Sequence, residues 1–549
     1  MKRLSGLFCA FMTAVILFAA AVPCYAASGG FEFLTYPEEA LTEFRPEMLS
    51  RISSGDDHIS NRGYDETGLY LSPYWTMTVN GSSVPVYATP VYDWVLDRGV
   101  IQSFQVLFTD GGTELDIEMD FSGGKVENAV VLPEKSGGTA RAEGSRVVAR
   151  ITTAGTYTYL INGESQEYAV TLFVKENTDE DAEIAALTEQ YGADNVTVYE
   201  KGFYTADEIP TDTDCIYFRR GSFVSFNHKN DIRSDEDARN HPAPAVLSLY
   251  GRENAVVTGC GTFDFTKLDR GERNLINMDH CKSTVLEGLT LLDPNGWTVT
   301  AYACEDCTIR DITVFGYRTN SDGVNICGCN DMTVADSFCR NGDDCFSVKA
   351  TNTEYECHDI VFTNCVGWSN KARCFGVTGE VERDIYNITF TDCAVIYRNA
   401  TWDMNRTGSL VIAAETGSGS VYNVLFENIE IHKDTGRPIY CMVYGDDING
   451  CGISGVTFRN IDIHADGKIK ISSQRELSFF GKLCAMLNNT PLGKLKIFSG
   501  FFGRFYNADN HVSVRFDNVT LNGKVLKTAL PRDTEVFGNA EIVFSDKYC

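Results

Sequence analysis

Basic residues are scarce in this chain. Of 549 residues only 47 are Lys or Arg against 75 Asp or Glu, a formal charge of −28 at pH 7. Such a charge repels phosphate backbones and other polyanions at long range, which argues against nucleic acid as a partner. Apolar runs long enough to cross a bilayer are missing beyond residue 22, so no membrane association is expected. Cysteine is absent from Ser28 through Asn177, which sets that stretch apart from the cysteine-rich remainder. What the chain does have is an ordinary globular balance, 43% hydrophobic and 22% charged. That leaves ample core for two or three domains and excludes a disordered protein.

The N-terminus opens Met1-Lys2-Arg3, continues with an apolar run from Leu7 to Val22, and reaches Cys24-Tyr25-Ala26-Ala27, small residues suited to cleavage after Ala26. Residues 1–26 therefore read as a secretory signal peptide, and the mature chain is expected to be exported, soluble and extracellular. Pro23 stands where lipid attachment to Cys24 would want a small residue, so anchoring is the weaker reading.

Over residues 28–185 short runs alternate apolar with polar side chains, as in Thr76-Met77-Thr78-Val79, Leu115-Asp116-Ile117-Glu118-Met119 and Tyr168-Ala169-Val170-Thr171-Leu172. Asn80-Gly81, Asp110-Gly111-Gly112 and Asn162-Gly163 punctuate them. This pattern predicts an antiparallel, immunoglobulin-like β-sandwich without catalytic features. A helical pattern from Ala182 to Tyr191 then leads into residues 186–549.

A repeat governs that second part. Gly288, Asp311, Asp336, Asn364, Asp392, Asn428, Asn460 and Asn518 form one column of turn-favouring residues. Two places before them stand Leu286, Ile309, Val334, Phe362, Phe390, Phe426, Phe458 and Phe516. Period-two alternation broken at a fixed turn residue every 23 to 36 residues predicts a parallel β-solenoid, whose coils bury their inner faces only by stacking. The longer last interval holds an insertion at about 467–504, rich in Lys, Arg, Phe and Leu. It reads as a helical or irregular flap packed on the solenoid or bordering the cleft, with surface anchoring as the alternative.

The spacing Cys304-x-x-Cys307 with Cys327-x-Cys329 is compatible with zinc. Yet Cys281, Cys304, Cys329 and Cys357 each lie seven positions before the turn residue of successive coils. They form a vertical ladder, which favours stacking or disulfides over a metal, because strands about 4.8 Å apart fall inside the 4.4–6.8 Å that a disulfide accepts. Removing Cys9 and Cys24 with the leader leaves an odd number of cysteines, so at least one thiol stays unpaired.

With a register in hand, the carboxylates acquire geometry. Asp322 in Asn320-Ser321-Asp322-Gly323 and Asp343-Asp344 in Asn341-Gly342-Asp343-Asp344-Cys345 lie one coil apart. Asp322 and Asp343 are expected to stack on one face, with Asp344 joining them through a bulge at Gly342. Crowded carboxylates repel, which keeps one protonated as an acid while another stays ionised as a base.

These motifs resemble the N-T-D-G and G-D-D-C segments of glycoside hydrolase family 28, the polygalacturonases, and of the related dextranase-like family 49. Asp293-Pro294-Asn295-Gly296-Trp297 and Gly259-Cys260-Gly261-Thr262-Phe263-Asp264 are similar to further family 28 segments. The resemblance covers roughly residues 195 to 465, and a sandwich ahead of the helix is closer to family 49. It implies a right-handed parallel β-helix of the pectin-lyase type. It also implies inverting hydrolysis of a polysaccharide or oligosaccharide, with Asp343 as general acid and Asp322 and Asp344 activating water. No metal or cofactor is called for, and a monomer is expected.

Trp297, Asn320, Lys349 and Arg373 are the candidate substrate ligands; Lys349 reads equally as a charge at the coil edge. Trp368 and Trp402 fit either sugar stacking or the solenoid wall, and His280 and His358 read as structural. The family's G-H-G histidine is missing at Ala372-Arg373-Cys374-Phe375-Gly376. Its cationic R-I-K clamp is replaced near Gly408-Ser409-Leu410-Val411-Ile412. The substrate is therefore either a neutral glucan or a pectic polymer. A polysaccharide lyase, which would need calcium and an Arg or Lys base, and a non-catalytic carbohydrate-binding β-helix are the competing readings.

Overall fold

The computed structural model describes residues 30–52, 64–93, 96–112, 114–163, 165–227, 245–268, 275–399, 407–443, 451–473 and 510–545. The leader, Trp402 and the insertion beyond residue 473 lie outside the described residues. Among those described, no helix is long and apolar enough to cross a membrane.

The chain first builds a two-sheet β-sandwich, with seven strands in one sheet and five in the other. Its hairpins turn where the sequence places Asn-Gly pairs. Asn80 and Gly81 have φ of 48° and 77°, and Asn162 and Gly163 have 53° and 80°, the left-handed pairs that match the twist of a two-residue hairpin. Pairing is antiparallel with one departure from expectation: Ser165–Glu176 runs parallel to Arg98–Thr109. Those two strands come from distant parts of the chain, so no hairpin fixes their direction. The helix Glu180–Tyr191 follows, its first turn capped by the Asp179 carboxylate, which accepts from the backbone N–H groups of Asp181 and Ala182 at 3.0 and 3.2 Å.

From Val196 onward the chain winds as a parallel β-helix. In the middle coils two short strands flank a corner and a third strand lies in a separate ten-stranded parallel sheet. The coil Thr308–Arg310, Thr313–Phe315 and Val324–Cys327 is one example. In the later coils, as at Val421–Asp434 and Gly452–Ala465, the two short strands run on as one. Every member of the turn column is left-handed, from φ 51° at Asp336 and Asn364 to 79° at Gly288. Asn and Asp tolerate that region because a short polar side chain can bond locally. Here it bonds vertically: the Asn428, Asn460 and Asn518 amides donate to Asp392, Asn428 and Asn460 at 3.2, 3.0 and 3.0 Å. Inside, Phe362, Phe390, Phe426 and Phe458 stack ring on ring at 4.7 to 4.8 Å.

A second left-handed column, not anticipated from the sequence, runs five residues ahead of the first through Ser283, Asp306, Asp331, Asp359, Asn387, Asn423 and Gly455. The cysteine ladder is present as stacked, buried thiols, with the Cys304 N–H donating to Cys329 Sγ at 3.3 Å. All fifteen described cysteines are free.

The sandwich is packed against the solenoid flank. Phe104 and Phe173 meet Phe315 and Phe338 at 5.0 and 5.4 Å. Trp368, fully buried, donates its indole N–H to Gln166 Oε1 at 3.2 Å and carries the Arg340 guanidinium 3.8 Å over its ring. That places Trp368 in the wall of the solenoid under the sandwich. Aromatic burial of this kind is worth about 1.5–3 kcal/mol per ring.

Candidate active site

The ten-stranded sheet presents its outer face as the floor of the site. Val324 pairs with Phe346, and Phe346 with Phe375, so the residues two places earlier align as well. The Gly323 N–H bonds to Asp344 O at 2.8 Å and the Cys345 N–H to Arg373 O at 2.9 Å. Trp297, Asp322, Asp344 and Arg373 thus occupy one column across four coils. This corrects the expected register: Asp322 stacks on Asp344, and Asp343 stands one residue ahead. No strand bulge is involved either, because Asp343 and Asp344 lie in the corner between Phe338–Asn341 and Phe346–Ala350, where the backbone is free of the alternating pleat.

Glycine makes that corner possible. A Cβ on Gly342 would come within 2.5 Å of Tyr317 O, and one on Gly323 within 2.4 Å of Cys345 O. The preceding turn is held by Arg318, fully buried, which donates to both carboxylate oxygens of Asp293 at 2.8 and 2.7 Å and to Thr266 O at 3.0 Å. Asp264 accepts from Thr266 and Gly68. The aspartates of the two upstream motifs therefore brace the site from outside it.

One carboxylate oxygen from each of Asp322, Asp343 and Asp344 lies within 4.8 Å of the others, and among the described residues this is the group that could hold a metal ion. Resident cations already compete for it. Lys349 Nζ lies 3.3 Å from Asp322 Oδ2, 3.9 Å from Asp344 Oδ2 and 3.8 Å from Glu380 Oε2. Arg373 Nη1 donates to Asp344 Oδ2 at 3.2 Å while Nη2 donates to Glu415 Oε1. Asn325 Nδ2 donates to Asp322 Oδ2 at 3.2 Å.

Burial, reinforced by Asp344, pushes the Asp343 carboxyl up to about 6. Burial also raises Asp322 well above the usual carboxylate range, although Lys349 opposes it. Desolvation pulls the Lys349 ammonium down, yet Asp322, Glu380 and Asp344 together hold it raised. The same balance, through Asp344 and Glu415, raises Arg373.

The anticipated ligands fall into two groups. Lys349, 4% exposed, is part of the cluster rather than a charge at the coil edge, and its Nζ sits 4.3 Å over the half-buried Trp297 ring. Arg373 bonds Asp344 directly. Asn320 stands at the surface of the turn with φ 59°. His280 and His358 pair with neighbouring Asp279 and Asp359 on the outer surface. Sequence reasoning missed Asn325, Glu380 and Glu415. Asn325 was within reach of the motif at three residues from Asp322; the two glutamates carry no motif and arrive only through coil stacking.

Residues 251–478 match the model of Glycosyl hydrolases family 28. An exopolygalacturonase of Platanus acerifolia is 22% identical over 232 residues, 38% of this chain and 59% of that protein. An exopolygalacturonase of Zea mays is 25% identical over 242 residues, 39% of this chain and 56% of that protein. The chain thus spans little more than half the length of these relatives. Dex49A from Penicillium minioluteum superposes with a TM-score of 0.54 at 10% identity, covering 94% of this chain and 99% of that one, a likeness of fold. The resemblance carried by the aspartate motifs to the family 28 and family 49 glycosidases is therefore matched by a family 28 stretch at residues 251–478, set in an architecture shared with Dex49A.

Proposed function

We propose that this chain is a secreted, monomeric glycoside hydrolase that cleaves a neutral glycan by an inverting acid/base mechanism. The observation that carries the reading is geometric: oxygens of Asp322, Asp343 and Asp344 lie within 4.8 Å of one another, with Lys349 close to Asp322 and Arg373 bonded to Asp344. Asp343 is pushed up to about 6 and, among the described residues, has no cation as close to it as Lys349 is to Asp322 and Arg373 is to Asp344. Asp343 donates its proton to the glycosidic oxygen as the bond to the anomeric carbon breaks. Asp344 and Asp322 take a proton from water as its oxygen bonds that carbon from the opposite face. The oxygen spacing is shorter than the roughly 6.5–9.5 Å usual for inversion with two carboxylates. Here a third carboxylate shares the water, and the anomer of the first product, read by proton NMR, tests the assignment.

Charge supports a neutral substrate. Five carboxylates, Asp322, Asp343, Asp344, Glu380 and Glu415, surround three cations, Lys349, Lys371 and Arg373. A uronate would bring further negative charge into that site. The exopolygalacturonases among the relatives favour a pectic polymer as the second reading. Purified protein assayed against neutral and uronic polysaccharides decides between them. New reducing ends from a neutral polymer are expected, without an unsaturated product; turnover confined to polygalacturonate overturns the neutral assignment. Asp343→Asn is expected to lower kcat by about 10²–10⁴ with the fold retained by circular dichroism.

A further inference from the structure

Arg373 divides its guanidinium between two carboxylates. Nη1 reaches Asp344 through Oδ2 at 3.2 Å, and Nη2 donates to Glu415 Oε1. All three side chains are at least nine-tenths buried, at 6%, 3% and 7% exposure. Guanidinium and carboxylate ordinarily pair through two parallel hydrogen bonds, which would cover both oxygens of Asp344. Here Asp344 Oδ1, although buried, accepts no hydrogen bond from the described residues, which leaves it open to a bond from water. The second arm of Arg373 is taken by Glu415. It belongs to the strand Leu410–Thr416, two coils beyond Asp344, and pulls the second arm of Arg373 away along the sheet.

We propose that Glu415 is a positioning residue: by holding one arm of Arg373 it keeps Oδ1 of Asp344 open as the oxygen that receives the proton of the attacking water. This rests on the glycosidase reading above. The water O–H bond breaks toward Oδ1 and the water oxygen bonds the anomeric carbon, while Asp343 protonates the departing oxygen, so the sum is hydrolysis. The charged groups around Asp344 are Asp322 from the preceding coil, Asp343 beside it, Lys349 and Glu380 from the sheet, and Lys371, Arg373 and Glu415 from the following coils. In Glu415→Gln the neutral amide holds Arg373 less strongly than the carboxylate does, which frees the guanidinium to bond both oxygens of Asp344, and one negative charge leaves the neighbourhood. Both changes favour ionised Asp344 and weaken it as a base.

The test compares wild type, Glu415→Gln and Glu415→Asp. The Gln variant is expected to lose roughly tenfold to a hundredfold in kcat with KM changed by less than about threefold, and its acidic limb moves to lower pH by about half a unit or more. The Asp variant, which keeps the charge, brings the limb back toward wild type. An unmoved limb, a limb that moves up, or a fall in thermal stability with unchanged kcat overturns the proposal. If wild type turns over no glycan, it is the glycosidase reading that falls. The Asp344 titration, followed by carboxyl ¹³C NMR in wild type and Glu415→Gln, still decides the clamp: a lower value in the variant supports it and an equal value overturns it.

Discussion

Asp343 and Asp344 are adjacent in the chain, yet their surroundings differ, because Arg373 Nη1 lies 3.2 Å and Lys349 Nζ 3.9 Å from Asp344 Oδ2. Asp343 is raised to about 6 by burial and by its neighbour, so as a proton donor it is competent below that value and ionised above it. Turnover is expected to fall as pH rises through about 6, and Asp343→Asn removes that limb. Profiles of kcat/KM against pH check this, and a rate constant from about pH 5 to about pH 8 refutes it. At this scale the sequence carried much of the geometry, because Asp322-Gly323 and Gly342-Asp343-Asp344 are local motifs. The pairing of Asp322 with Asp344 rather than Asp343 was hidden, since motif spacing does not say which residue of the corner aligns once the backbone leaves the strand. Glu415 was invisible for a different reason: it reaches Asp344 through Arg373, across 71 residues of chain.

The element that organises the solenoid is the left-handed corner. At Asn428, φ 56°, the side chain donates to Asp392 and accepts from Asn460. Asn428→Gly keeps the conformation and loses only the ladder bonds. Asn428→Val loses the same bonds and in addition puts a β-branched residue where it strains by about 1–2 kcal/mol. Thermal unfolding is therefore expected to rank wild type above the Gly variant and the Gly variant above the Val variant; equal melting of the last two contradicts the account. The first corner column was readable because apolar residues flank it at fixed places. The second escaped notice because Ser283, Asp306, Asn387 and Gly455 share a conformation and not a residue type.

At the scale of the molecule, sandwich and solenoid share one apolar interface, with Tyr36, Phe104 and Phe173 in the same cluster as Phe223, Phe315, Phe338 and Trp368. Polar bonds run along it, including Asn370 Nδ2 to Tyr92 O at 2.6 Å and Lys175 to Asp311 at 2.6 Å. A chain lacking residues 28–185 would expose those solenoid aromatics as a contiguous patch. It is expected to be recovered only as aggregate, or to bind a hydrophobic dye strongly, whereas a monomeric, dye-silent solenoid would show that the interface is dispensable. Strand periodicity foretold both units but not their docking, because Trp368 reads the same in sequence whether it meets sugar, solvent or another domain.

The two corner columns keep a constant offset of five residues while the coils between them range from 23 to 36. Length variation is thereby channelled into the segments on either side of the ten-stranded sheet, whose outer face carries Lys349 and Glu380 beside the carboxylates. The scaffold can lengthen or trim those segments turn by turn while every rung keeps its place, so variety of outline asks nothing of the frame that carries the acids.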